Sequence, residues 1–226
     1  MRLFNTLLQE IEGNQDDIIR RDCQPFLVET KGNILFRGSV QHIKGIKKID
    51  PRSDRRPTDT PGWAHKMLDG AFKKKFGWNA RSEGVFATRS INNAEVYGVA
   101  YEFYPIGKFK YVWSPRIDDL YDALSFKTWF NHPENLQDDD FNRDNILSWM
   151  HGIREWIHFE QPGRTLDMNV NELLQYVINL VVNTYIDRRL YDATKASTSG
   201  LSKEVSFKCD SYYLLERFNY RDKLNL

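Results

Sequence analysis

The chain has 226 residues, 41% hydrophobic, 14% aromatic and 28% charged, with a formal net charge of +1. That is enough apolar material for one packed domain, or for a domain with an appended helical piece, and it excludes a disordered chain. With 32 basic and 31 acidic side chains, the molecule has no overall field to attract nucleic acid or an anionic membrane, which leaves only a local basic patch open.

Leu3, Leu7, Leu8 and Ile11 form one stripe over residues 2–12, and Gly13-Asn14 is expected to end that helix. The same N-terminal segment lacks the pattern of a secretory signal. No run of about 18 apolar residues occurs, so no membrane-spanning helix and no membrane partner are expected. Cys23 and Cys209 have no CxxC spacing, which points to a reducing compartment and buried structural thiols rather than nucleophiles. The five histidines show no ligand spacing, so no metal is expected.

After the turn residues Lys31-Gly32, residues 33–37 read as a short strand. The stretch 40–63, rich in proline, glycine and charge, reads as irregular. Within it, His42–Arg56 holds six Lys/Arg residues against Asp50 and Asp54. The bland reading is a solvated loop; the functional one gives Arg55 or Arg56 to a phosphate or an acceptor. Thr60 and Pro61 look like a cap and first position for a helix that buries Trp63, Met67, Ala71 and Phe72 and stops at Gly77.

Gly84–Thr88 reads as a strand, and Ser90 caps a short helix that ends at Gly98. Val99–Pro105 and Lys108–Trp113 are strands around an Ile106-Gly107 turn. Their aromatic residues, Tyr101, Phe103, Tyr104, Phe109, Tyr111 and Trp113, read as core; a base-stacking platform would need them exposed. A short helix over 117–124 and another around 145–159 are expected. Residues 169–190 form an amphipathic helix carrying Leu173, Leu174, Val177, Leu180, Val181 and Tyr185. Strands over Glu204–Cys209 and 212–218 close the chain. Helix, strands, helices, strands is α+β on an antiparallel or mixed sheet, not alternating βαβ. There is no GxGxxG, GxxxxGK[ST] or GxSxG motif.

Three segments stand out together. Leu35-Phe36-Arg37-Gly38-Ser39 ends an apolar strand on arginine. Gly84–Gly98 holds Phe86-Ala87-Thr88-Arg89-Ser90 and then Tyr97. Ser202–Leu215 opens a late strand on Glu204 after a Ser/Thr/Gly loop. This order resembles the arginine–Ser/Thr–glutamate pattern of ADP-ribosyltransferases of the bacterial-toxin and bacteriophage kind. The resemblance spans 35–215 and is looser to uncharacterised phage members through Arg55–Pro61.

The resemblance implies a split-sheet core over residues 1–226, with 125–195 as a helical insertion. It implies NAD as substrate and no metal. Glu204, Arg37 and Thr88 would be catalytic, and Arg37, Gly38, Phe86, Ala87, Thr88, Ser90, Tyr97 and Arg56 would line the NAD site. Phe86 or Tyr97 would stack on nicotinamide. The activity implied is mono-ADP-ribosyl transfer from NAD to a macromolecule, foremost a host protein, in the host cytoplasm or from within the virion.

Two departures shape that expectation. Ala87-Thr88-Arg89-Ser90 stands where Ser-Thr-Ser is usual, so only Thr88 transfers directly. Ser202 stands where arginine-directed members carry a second acid, so no carboxylate orients a guanidinium acceptor. The alternatives are a nucleic acid as acceptor and a non-enzymatic phage structural or accessory protein that keeps the fold. Taken singly, Arg37 and Glu204 are ordinary strand-end charges and Thr88 an ordinary β-former.

Overall fold

The computed structural model describes residues 14–53, 55, 62–118, 120, 170–195 and 203–216. The chain divides into two compact units. One comprises Met1–Arg55, Ser82–Asp118 and Tyr185–Leu226, the other Arg56–Arg81 and Asp119–Thr184. Residues 125–195, read as one insertion, are thus shared between units, with 185–195 in the first.

In the first unit, helices α1 (14–22) and α2 (Gln24–Thr30) precede β1 (Leu35–Ser39) and β2 (Ile46–Ile49). Strand β3 (Val85–Thr88), helix α4 (Ile91–Glu95) and strands β4 (Val99–Pro105) and β5 (Phe109–Trp113) follow the excursion into the second unit. A short helix α6 (Leu190–Ala193) leads to β6 (Glu204–Cys209) and β7 (Tyr212–Leu215). The second unit contributes α3 (Gly62–Phe76) and α5 (Val170–Asn183).

The architecture is α+β on one seven-stranded antiparallel sheet, ordered β2-β7-β4-β1-β3-β6-β5. Strand β2 lies inside the stretch that reads as irregular, because Lys47 and Lys48 mask its apolar ends. Asn14 is helical rather than a helix terminator. The helix expected over 2–12 lies outside the described residues, as do that around 145–159 and all but the start of that over 117–124. There, Asp118 is a bend whose carbonyl accepts the Glu204 N–H at 2.9 Å.

Helix α2 carries proline in its first turn, where the missing N–H costs nothing. It ends where Lys31 turns left-handed (φ 53°) and Gly32 follows (φ 78°), with the Gly32 N–H on the Leu27 carbonyl at 2.9 Å. Phe26, fully buried on this helix, is the hub of the core. Its ring meets Phe103 and Tyr104 of β4, Phe109 of β5 and Phe207 of β6 at centroid distances of 5.9–6.3 Å. Strand β4 is buried throughout Tyr101–Pro105, Glu102 included, because β7 and β1 flank it. Glu102 accepts the Tyr104 hydroxyl at 2.7 Å. The core reading of Tyr101, Phe103, Tyr104, Tyr111 and Trp113 holds, since all are buried.

In the second unit, α3 ends at Gly77 (φ 80°) and buries Ala71 and Phe72. Met67 is half-buried. Lys75 of α3 caps the end of α5, donating to the carbonyls of Val182 (3.1 Å) and Asn183 (2.9 Å). Helix α5 stops at Asn183, short of the expected 190. The physical reason is a competing partner. Ile186 forms an antiparallel bridge with Trp113 at the end of β5, with N···O distances of 2.8 and 3.0 Å, and so cannot continue a helix. Likewise the last strand ends at Leu215 within the described residues, not at 218.

Among the described residues, no helix is long and apolar enough to cross a membrane. Truncating the hub should be costly: Phe26→Ala is predicted to lower unfolding free energy by about 3–5 kcal/mol. Urea titration checks this, and a loss under about 1 kcal/mol would remove Phe26 from the centre of the core.

Candidate functional site

Three strands at the middle of the sheet bring the three motifs together. In β1–β3 pairing Phe36 stands opposite Thr88, and in β3–β6 pairing Thr88 stands opposite Glu204. Phe36, Thr88 and Glu204 therefore form one cross-strand row. Arg37, the next residue on β1, leaves the strand toward the opposite face, that of Ala87 and Tyr212, and reaches the row only through the gap between β1 and β3. At ordinary strand spacing the row spans about 10 Å from β1 to β6.

Beyond Phe36–Thr88 the ladder between β1 and β3 is taken over by a side chain. Arg37 donates from its guanidinium to the Phe86 carbonyl at 2.8 Å. The same guanidinium lies 5.9 Å from the Tyr212 ring centroid. A planar fork bound this way keeps a fixed orientation and retains further N–H groups for an anion.

Glu204 opens β6 half-buried, its backbone N–H held by Asp118. Lys203 beside it pairs with the Asp118 carboxylate at 2.6 Å. The loop before β6 is thus tied back at its last residue before the glutamate. Thr88 accepts the Ser90 N–H on Oγ1 at 3.3 Å, and Ser90 accepts the Asn93 N–H on Oγ at 3.1 Å. Ser90 is therefore the N-cap of α4, as its position in the sequence suggests. Arg89, which departs from the Ser-Thr-Ser pattern, donates to the Ile34 carbonyl at 3.1 Å and joins the start of β1 to the end of β3.

Gly38 is dictated by close approach. A Cβ there would collide with the Ala94 carbonyl oxygen and stand 2.8 Å from Tyr97 Cβ. The glycine lets the end of α4 and Tyr97 rest on β1. Tyr97 is 55% exposed, so its ring is open to solvent.

Of the expected residues, Arg37, Phe86, Thr88 and Glu204 share three adjacent strands, and Gly38, Ser90 and Tyr97 adjoin them through α4. Ala87 does not present its side chain to this row: it is buried in the core. Arg56 lies outside the described residues. Its neighbour Arg55 takes a defined place instead, with its guanidinium carbon 4.2 Å from the Phe86 ring centroid and its N–H on the Ser82 carbonyl at 3.3 Å. One ring face of Phe86, an expected stacking surface, is thus covered by a cation. Nothing in the local sequence signals this pair, because the two residues lie far apart in the chain.

Among the described residues, no group of three or more His, Cys, Asp or Glu side chains could hold a metal. Both thiols are poor nucleophiles, burial pushing Cys23 and Cys209 each up to about 12. Comparison with protein-family models, with curated proteins and with solved structures finds no match.

Two outcomes follow. Gly38→Ala is predicted to cost about 1–3 kcal/mol as α4 is forced off β1; an unchanged urea midpoint would refute that close approach. Raised thiol pKa values keep the neutral form below about pH 11 in the folded chain. Iodoacetamide at pH 8 should therefore leave both cysteines unmodified in mass spectra and label both in denaturant. Rapid labelling of either in the folded chain would contradict their protection.

Proposed function

We propose that this chain is a mono-ADP-ribosyltransferase that moves ADP-ribose from NAD to a macromolecular acceptor. The observation that carries this reading is the juxtaposition of the three motifs. Arg37, Thr88 and Glu204 are distant in sequence yet occupy three consecutive strands, with Thr88 and Glu204 in direct register. The fold proposed for this unit is accordingly the ADP-ribosyltransferase core, opened between β1 and β3 where Arg37 takes the Phe86 carbonyl.

In this reading the pyrophosphate of NAD rests on Arg37, whose guanidinium is already oriented by Phe86. Thr88 and Ser90 shape the turn beneath the ribose. The bond from the ribose anomeric carbon to nicotinamide breaks, and its electron pair leaves with nicotinamide. Positive charge then develops on the ribose ring, as in glycoside cleavage. Glu204 supplies a fixed negative charge and accepts a hydrogen bond from a ribose hydroxyl. An acceptor nucleophile attacks the anomeric carbon and gives up its proton. Ser202, in place of a second acid, removes the group that would orient an arginine acceptor, so the acceptor nucleophile is of another kind.

The test is NAD labelled on its adenylate half, incubated with the full chain and a bacterial lysate. Glu204→Gln should cut label transfer and nicotinamide release by at least about a hundredfold, with an unchanged unfolding midpoint. Equal turnover in the variant would sink the role of Glu204. Absence of both NAD binding and nicotinamide release in the parent chain would sink the transferase reading itself.

A further inference from the structure

We propose that the β2 edge of the sheet, with the loop before it and the end of α1, is a docking surface for a nucleic-acid strand held by its phosphates. Strand β2 ends the sheet order and pairs with β7 alone. Lys47 and Lys48 are both exposed on it, and Lys44 is exposed just ahead of it. Successive strand residues point to opposite faces, so Lys47 and Lys48 straddle the edge.

A further cation, already ion-paired, lies on another element. Tyr213 is the cross-strand partner of Lys48, and its hydroxyl donates to Asp22 at 2.9 Å. Arg21, with its side chain 73% exposed, grips the same Asp22 carboxylate at 2.7 Å. Arg21 and Lys48 thus flank one acid, and that acid is already engaged by Arg21 and Tyr213. Asp50 is the exposed acid at the far end of the strand. Lys47 reaches back to Gln41 Oε1 at 3.0 Å.

Arg21 and Asp22 cancel, and Asp50 and Glu216, whose carboxylate accepts the Gly45 N–H at 3.3 Å, stand at the ends of the strand; the three exposed lysines, Lys44, Lys47 and Lys48, outnumber these two acids on the edge. Lysines on flexible stems suit a repeating phosphate backbone rather than base edges. A membrane surface fits less well. Interfacial binding needs a cluster of exposed apolar anchors, and among the described residues this surface offers one large exposed hydrophobic residue, Val40 in the loop before β2, the others (Val28, Val96, Tyr97 and Val99) lying elsewhere. Charged edges also guard against strand-to-strand association, which is the rival explanation the experiment must separate. The inference is independent of NAD chemistry.

The experiment is fluorescence anisotropy of the full chain with a labelled single strand of about twenty nucleotides. If the three lysines each engage a phosphate, the logarithmic salt slope should be about −2, and affinity should fall about twentyfold between about 50 and 200 mM salt. Lys47→Glu/Lys48→Glu should weaken binding at least about tenfold at low salt and bring the slope to about −0.7. The neutral pair Lys47→Gln/Lys48→Gln should give a smaller loss in the same direction with an unchanged unfolding midpoint, and it serves as the test if the charge-reversed pair does not fold.

No binding by the parent chain at low salt overturns the proposal. So does binding of anionic phosphatidylserine vesicles but not of the oligonucleotide. Variants that aggregate yet bind the strand as the parent does would leave the lysines as edge guards only, and would also overturn it.

Discussion

Phe26 stands where rings from three strands converge, and the sheet-bearing unit depends on that convergence. An antiparallel sheet needs one face covered before its strands gain anything from pairing. Here a seven-residue helix supplies the cover through one fully buried ring, set edge-on against Phe103, Tyr104 and Phe207. The helix is held at its far end by the left-handed Lys31 and Gly32, which turn the chain directly into β1. The position of Arg37 thus follows from a helix terminus six residues before it.

Much of this was legible in the sequence where local rules act alone. Ser90 reads as a cap and is one; Gly77 reads as a stop and is one. Alternation in residues 99–105 and 204–209 marks strands because both have apolar neighbours on at least one face. The errors arise where a distant partner decides. The helix through 183 reads as running to 190, yet Trp113 draws Ile186 into an extended bridge. Strand β2 is hidden because an edge strand needs no apolar alternation and carries lysines instead.

The candidate site shows the same division. Arginine, threonine and glutamate are each visible as residue types at strand ends, but their adjacency is a property of strand order. That order places β3 and β6 side by side although more than a hundred residues separate them. The departure Ala87-Thr88-Arg89-Ser90 also gains a physical meaning. Ala87 suits the buried face, and Arg89 is a clamp on the Ile34 carbonyl rather than a lost serine. The Arg55–Phe86 contact was beyond local reading, since a cation over a ring leaves no pattern at fixed spacing.

The two outer strands of the sheet meet solvent by different means. At β5, Ile186 occupies the hydrogen-bonding groups of Trp113, so part of that edge is closed by the chain itself. At β2, the outward edge carries the exposed Lys47 and Lys48. Backbone pairing is indifferent to ionic strength, whereas repulsion between exposed lysines fades within a Debye length of about 8 Å at physiological salt. One edge is thus partly closed by backbone pairing and the other is open and charged. Salt therefore acts on the two edges unequally: it screens the lysines of β2 and leaves the Trp113–Ile186 closure of β5 untouched.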